Sequence, residues 1–387
     1  MAEEYERKFL DKISDKLIDG LAKIIDKIKP GWYFTNRSRV KEWKLMAYAL
    51  NRSPLGIVGL IIVITFITLG IIGPIIAPFK YNFFPSLEAP KETFVKPPGT
   101  TVYLKSLGRT VTFILGTDHY GRDLLSLILY GARVSLVISI ITMTLGVPLG
   151  ILLGLIAGYY GGKIDELIMR ITDIFLAFPA LILAIAFAAV LPERIDALLS
   201  NNPWLQQIFL WLFALDKREV GNLGRLLSVI LALVIVWWPM YARIVRGSTL
   251  SVRESLYIEA AKALGLSNFK IMFKHILPNI LGPILVCITL DFGGVILMEA
   301  GLSFLGLGAV PPIADWGRIV YDGSQFFPRA WWLVLIPGSI VLFTVLGWNL
   351  LGDALRDILD PRTRRSIEFK IKKKKPVPSS EEGGSSQ

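Results

Sequence analysis

The sequence predicts an all-α membrane protein of six transmembrane helices, with an N-terminal amphipathic helix and small external insertions. Three observations predict it. Mean hydropathy is +0.55, with 53% apolar and 19% charged residues, against roughly 45–50% and about 25% in soluble domains. Six apolar stretches are each long enough to cross a hydrocarbon core of ~30 Å, which takes about 20 residues. Lysines and arginines collect at the chain ends and between those stretches, not in a basic stripe interleaved with aromatics. The formal net charge of +11 therefore suits orientation in a membrane with a negative inner face and argues against a nucleic-acid partner.

Residues 1–53 form the first segment. Leu10, Ile13, Leu17, Leu21, Ile24, Ile25 and Ile28 recur at helical spacing among Asp, Glu and Lys, and Pro30-Gly31 closes the run. The pattern is an amphipathic helix, suited to a membrane surface or to a partner. It lacks the apolar core and small-residue cleavage site of a signal peptide.

The spans are expected near 55–77, 134–158, 172–192, 226–244, 279–298 and 331–352. The first two carry no charge, the third begins beside Arg170 and Asp173, and the fifth contains Asp291. Placing both termini in the cytoplasm puts roughly 29 of the 42 basic residues on that side, and the opposite orientation roughly 13. A multi-pass cell-membrane protein with both ends inside is expected.

Outside, Thr101–Leu115 alternates around Gly108 as a hairpin. Gly116-Thr117-Asp118-His119-Tyr120-Gly121-Arg122-Asp123 follows, read physically as a glycine-rich turn locked by Arg122 against Asp118 or Asp123. Glu193–Leu223, with Trp204 and Trp211, reads as a short helix resting at the lipid interface.

Residues 246–278 are the long polar segment between spans four and five. Ser251 and Glu254 have capping-box spacing, which starts a helix near Val252. Gly265 sits where a left-handed residue would end it, and Ser267 can cap a second helix that must stop at or before Pro278. Glu259, Ala260, Ala261 and Ala263 leave one side of the first helix with little bulk. Spacing alone leaves two readings open, a docking face or a helical hairpin on the membrane surface.

The sequence contains no GxxxxGK[ST] phosphate loop, and its single cysteine, Cys287, lies in an apolar run. His119 and His275 are its only histidines, too few and too far apart to suggest a metal site. With no nucleophile–base pair either, catalysis by this chain itself is not expected. Residues 366–387, rich in Lys, Ser and Gly, read as a disordered tail.

Glu259-Ala260-Ala261, then Gly265, then Leu277-Pro278 resembles the EAA motif of the membrane subunits of ABC importers, with His275 where the motif has an aliphatic residue. Gly116 to Asp123 resembles the GTDxxGRD element of dipeptide and oligopeptide permeases. Glu299-Ala300-Gly301-Leu302-Ser303-Phe304-Leu305-Gly306-Leu307-Gly308, with Pro311-Pro312 and Asp315-Trp316-Gly317, resembles another of their blocks. Asn349 to Arg362 resembles their closing NLLGDxLRDxLDPR. The four blocks stand in the family's order between Pro54 and Arg362.

The resemblance implies a type I ABC importer permease fold over residues 54–365. It implies that Glu259, Ala260, Ala261, Gly265, Leu277 and Pro278 couple the 252–278 loop to an ATPase. Asp118, Arg122 and Asp123 become candidates for a gate at the outer mouth. Asp291 either lines the pathway or pairs with a neighbouring helix. The implied partners are two ATPase subunits carrying ATP and Mg, a second homologous permease chain in a heterodimer, and an extracellular substrate-binding protein, within membrane lipid. No cofactor belongs to this chain. Peptides are the expected cargo, and relatives carrying oligosaccharides or nickel complexes share the same blocks. A self-contained channel or a multispan membrane enzyme is the alternative of a different class, and it would need a charged pore ring or catalytic groups.

Overall fold

The computed structural model describes residues 9–359. The expected tail at 366–387 and the Asp360-Pro361-Arg362 end of the closing block lie outside the described residues. The chain divides into two compact units, one of residues up to Val58 together with those from Leu350, the other Gly59–Asn349.

In the first unit α1 (Phe9–Ile28) lies against α3 (Arg37–Leu50), with the short α2 (Trp32–Thr35) between them in sequence. Lys44 pairs with Asp19 at 2.7 Å, and Asn51 donates to Asp11 at 2.9 Å.

The first span, α4, is Pro54–Ile76. After the short α5 (Pro90–Thr93), strands β1 (Thr100–Leu104) and β2 (Arg109–Phe113) pair antiparallel with Val102 opposite Val111, as the alternation predicts. Val102, Leu104 and Phe113 bury together under this hairpin.

Helix α6 runs Leu124–Tyr160, ten residues further toward its N-terminus than the expected span. The third expected span is corrected: it is not one helix but α7 (Gly162–Ala177) and α8 (Ala180–Val190), which meet at 90°. Pro179 causes the break, because proline disfavours the helical conformation in the residue before it, and Phe178 is extended at φ −89°, ψ 140°. At ~1.5 Å per residue α8 reaches only about 16 Å, so it cannot cross alone. Five described helices are long and apolar enough to span, and the bent pair makes six if counted as one broken span.

The insertion expected at Glu193–Leu223 is two helices, α9 (Pro192–Ser200) and α10 (Pro203–Phe213), each opened by a proline in its first turn. Trp204 and Trp211 are exposed on α10, while Leu210 and Phe213 are buried. Helix α11 (Val220–Arg253) continues well past the expected end near residue 244. It is followed by α12 (Leu256–Ala263), α13 (Asn268–Lys270) and a π-helical stretch, Ile271–Ile276, that leads into α14 (Leu277–Phe304). Helices α15 (Trp316–Ser324) and α16 (Trp332–Leu359) complete the chain.

The core of the larger unit is centred on α6 and α11, with α8, α9 and α14 against them. Gly150, Gly154 and Gly158 recur every fourth residue of α6 and so lie along one face of that helix. A Cβ on Gly150 would meet the Trp238 carbonyl oxygen at 2.5 Å, one on Gly154 the Ala242 carbonyl oxygen at 2.5 Å, and one on Gly158 the Thr249 Cβ at 2.7 Å. Small residues in a row let two helix backbones approach closely where no hydrophobic effect drives helices together.

This seam predicts that Gly154→Val overpacks the α6–α11 contact. The variant should lose about 1–3 kcal/mol and melt several degrees lower in detergent. Gly282→Ala, at a helical glycine with nothing within 4 Å of the added Cβ, should leave the Tm unchanged or raise it, because alanine is the better helix former. Equal Tm values for the two variants would contradict the seam.

Candidate coupling site

The loop that follows α11 begins later than its sequence suggests. Ser251 and Glu254 do not form a capping box: Ser251 is still helical, and the chain turns at Glu254 and Ser255. Ser255 takes the N-cap position of α12, with φ −77° and ψ 145°, but its hydroxyl donates backward to the Val252 carbonyl at 2.6 Å. The packing of α11 on α6 carries α11 past the cap signal.

The C-terminal end of α12 is the one its sequence predicts. Gly265 has φ +72°, its N–H donates to the Lys262 carbonyl, and the Leu266 N–H donates to the Ala261 carbonyl. This is a Schellman closure, with both hydrogen bonds formed. Ser267 then accepts from the Lys270 N–H at 3.4 Å.

The second helix does not stop before Pro278. A π-helical turn precedes the proline, and the Leu277 N–H reaches back five residues to the Met272 carbonyl. The widened turn leaves room for the Pro278 ring and needs no N–H there, so the helix continues to Phe304. Leu277 and Pro278 therefore mark the change from π to α geometry.

Ile258, Ala261, Ile271, Met272 and Ile276 are buried in the main core and fix the loop from inside. The four small-face residues of the sequence reading thus divide: Glu259, Ala260 and Ala263 face outward and Ala261 faces inward. Leu256 and Leu264 flank the outward three along α12, and Phe269 follows on α13; they are exposed at 83%, 80% and 68%. The outer face is a small-residue patch rimmed by large apolar side chains. Their exposure gives no signal in the sequence, because it depends on which side of α12 the core takes.

Three contacts tie this loop to the end of α6. The Arg253 guanidinium donates to the Gly158 and Tyr159 carbonyls, each at 3.2 Å, which satisfies acceptors left open at the helix terminus. The Tyr159 hydroxyl donates to Asn268 Oδ1 at 2.7 Å, and Lys262 Nζ stands 5.7 Å from the Tyr159 ring centroid. Glu259 is exposed, with no side-chain hydrogen bond or ion pair among the described residues. Further up α11, Arg246 makes a two-point pair with Asp165 of α7 at 2.5 and 2.6 Å.

Asp291, half-buried on α14, accepts from the Tyr241 hydroxyl of α11 at 2.7 Å. The hydrogen bond joins two helices of the core.

At the opposite end of α6, the structure brings Asp118 and Arg122 into one buried pair. Asp118 accepts from Arg122 Nε at 2.8 Å and from the Tyr120 and Arg122 backbone N–H groups, while Arg122 also donates to the Pro312 carbonyl at 2.9 Å. Asp123 joins neither; it caps α6, accepting from the Ser126 N–H at 2.8 Å and hydroxyl at 2.6 Å. Burial holds His119 below the ordinary imidazole value, against the pull of Asp118 and Asp322.

Nearby is a cluster that the sequence motifs contain without announcing. Glu299 and Asp315 are fully buried. Ser303 donates to Asp315 at 2.9 Å and stands 3.4 Å from Glu299, which also accepts from Ser135 at 2.9 Å. Only the one-turn spacing of Glu299 and Ser303 hinted at it.

Asp118→Asn would leave the Arg122 charge buried and unpaired, a change that costs about 3–5 kcal/mol. A large fall in thermal stability, with Asp123→Ser milder because serine also caps helices, is the expected result. Similar small losses for both would contradict the pair.

Residues 150–365 match the family model described as binding-protein-dependent transport system inner membrane component. Residues 41–97 match the N-terminal TM domain of oligopeptide transport permease C. The chain is 39% identical over 325 residues to the dipeptide transport system permease protein DppC of Alkalihalophilus pseudofirmus, covering 84% of this chain and 91% of that one. It is 34% identical over 330 residues to the di/tripeptide transport system permease protein DppC of Pseudomonas aeruginosa, covering 85% and 94%. Against the oligopeptide transport system permease protein OppC of Bacillus subtilis it is 33% identical over 330 residues, covering 85% and 93%. A crystal structure of an amino acid ABC transporter aligns with a TM-score of 0.39 at 18% identity, over 62% of this chain and 94% of that chain, a likeness too loose to carry an inference. On the family model and these identities, the chain belongs to the binding-protein-dependent transport system inner membrane components, the membrane-spanning permease subunits of ABC importers.

Proposed function

We propose that this permease forms half of the path for di- and oligopeptides, which an extracellular binding protein delivers and two partner ATPase subunits drive inward with ATP and Mg. The observation that carries the coupling role is the outward face of α12. Glu259, Ala260 and Ala263 leave room for a partner's surface, Leu256, Leu264 and Phe269 offer apolar contact around them, and the loop behind is fixed to the end of α6. The names of the relatives support peptides as cargo. Both termini are cytoplasmic in this reading, as the distribution of Lys and Arg favours, and a second homologous permease chain completes a heterodimer.

Power comes from differential affinity. Nucleotide shifts the equilibrium between inward- and outward-open states only if the ATPases hold α12 differently in the two. A loop that is rigid and tied to α6 passes that difference to the helices. Asp118, Arg122 and Asp123 then act at the outer mouth by keeping the turn before α6 in one shape, and Asp291 acts through Tyr241 as a tie between α11 and α14.

The test is ATPase activity of the complex reconstituted with its ATPases and binding protein, screened against peptides, oligosaccharides and nickel complexes. Stimulation by peptides is expected; stimulation by a sugar or a metal complex alone would overturn the cargo. Gly265→Val places a β-branched residue at positive φ, a strain of about 1–3 kcal/mol, and should lower ATPase association roughly tenfold. Normal association and transport by that variant would remove Gly265 from the coupling site. Asp291→Ala should lower thermal stability and leave the range of transported peptides unchanged. A changed range would place Asp291 on the pathway instead.

A further inference from the structure

Helix α1 sorts its residues onto three sides. At about 100° per residue, Leu10, Ile13, Leu17, Leu21, Ile24 and Ile28 share one stripe, Asp11, Asp15, Asp19 and Asp26 lie on the far side, and Lys12, Lys16, Lys23 and Lys27 lie between the two. The acidic side, together with the buried Ala22 and the half-buried Ile18 and Ile25, is the one turned to the protein. Asp19 accepts from Lys44 at 2.8 Å, Asp11 from Asn51 at 2.9 Å with Arg52 at 3.7 Å, and Asp26 from the Tyr33 backbone N–H at 2.8 Å. The apolar stripe faces away, with Leu17 exposed at 65% and Ile28 at 80%. A helix of a soluble domain turns its apolar side inward, so this arrangement calls for an apolar medium outside.

Position supplies one. Asn51 and Arg52, which hold Asp11, come directly before Pro54, where the first span begins. The start of α1 is thereby pinned where chain leaves water for lipid. Its lysines, all exposed, flank the stripe on one side, above the acyl chains and toward the headgroups when the stripe is immersed.

We propose that α1 is an interfacial anchor for anionic phospholipid: it lies along the leaflet at which the first span begins, its apolar stripe among the acyl chains and Lys12, Lys16, Lys23 and Lys27 on the acidic headgroups. The lysines add attraction that grows with anionic lipid and weakens with salt. The anchor is independent of the cargo carried.

The experiment uses the full chain with Cys287→Ala and an environment-sensitive fluorophore on Leu21→Cys. The protein is placed in nanodiscs of phosphatidylcholine alone or mixed with phosphatidylglycerol, with shallow doxyl-labelled lipid as quencher and iodide as the aqueous one. Doxyl quenching with protection from iodide is expected in the mixed discs. It should fall by about half or more when phosphatidylglycerol is omitted, and also when Lys12, Lys16, Lys23 and Lys27 are all changed to Gln. Glutamine is nearly as good a helix former as lysine, so that variant keeps the helix, and a second label at Ile28→Cys repeats the reading if position 21 is disturbed. Free access to iodide would put the stripe in water, and protection from both quenchers would put it against protein. Either result, or equal doxyl quenching in both lipid mixtures, overturns the proposal.

Discussion

The close approach of α6 and α11 at Gly150, Gly154 and Gly158 is the contact on which the other arrangements depend. Bilayer lipid is as apolar as leucine, so burying large side chains gives little preference for one helix pairing over another. Backbone against backbone does, because only one register of the two helices lets three glycines meet the Trp238, Ala242 and Thr249 positions. That register fixes where α11 ends relative to α6. Arg253 then falls opposite the last carbonyls of α6, and Tyr159 opposite Asn268. The loop therefore inherits its position from a seam inside the membrane.

Polar groups reinforce the frame at both ends of α6. Toward the loop, Asp165 and Arg246 pair α7 with α11. At the other end, Asp118 and Arg122 close the turn before α6, and the Ser303 hydroxyl stands between the buried carboxyl groups of Glu299 and Asp315. Buried groups of this kind are costly unless hydrogen-bonded, and beside their near neighbours Arg122 reaches the Pro312 carbonyl and Glu299 reaches Ser135, both far away in sequence. Such a frame suits rocking between two packed arrangements better than gradual bending, since close-packed cores deform little.

Much of this is legible in the sequence. Spans without charge announce themselves by hydropathy, the hairpin by its alternation, the end of α12 by Gly265, and the turn before α6 by Arg122, though the letters leave its partner open between Asp118 and Asp123. Local signals failed where a distant partner decided. Ser251 and Glu254 have good capping spacing, yet packing on α6 keeps α11 helical through Arg253. Pro278 reads as a stop, but a π-helical turn absorbs it. Pro179 bends the third hydrophobic stretch, which averages of hydropathy do not register. The four-residue recurrence of glycine on α6 was present in the letters, and it acquired meaning only when α11 was seen to press against it. The exposure of Leu256, Leu264 and Phe269 likewise required knowing which side of α12 the core claims.

The central claim is that loop and helix move as one body. Spin labels on Lys274→Cys, in the loop, and Leu152→Cys, on an exposed position of α6, in a Cys287→Ala background, give one distance within the subunit. Pulsed-EPR measurement in the assembled transporter should return the same narrow distance without nucleotide and with ATP bound. A nucleotide-dependent shift of about 5 Å, the pitch of a helical turn, would show the loop sliding past α6 and contradict the account.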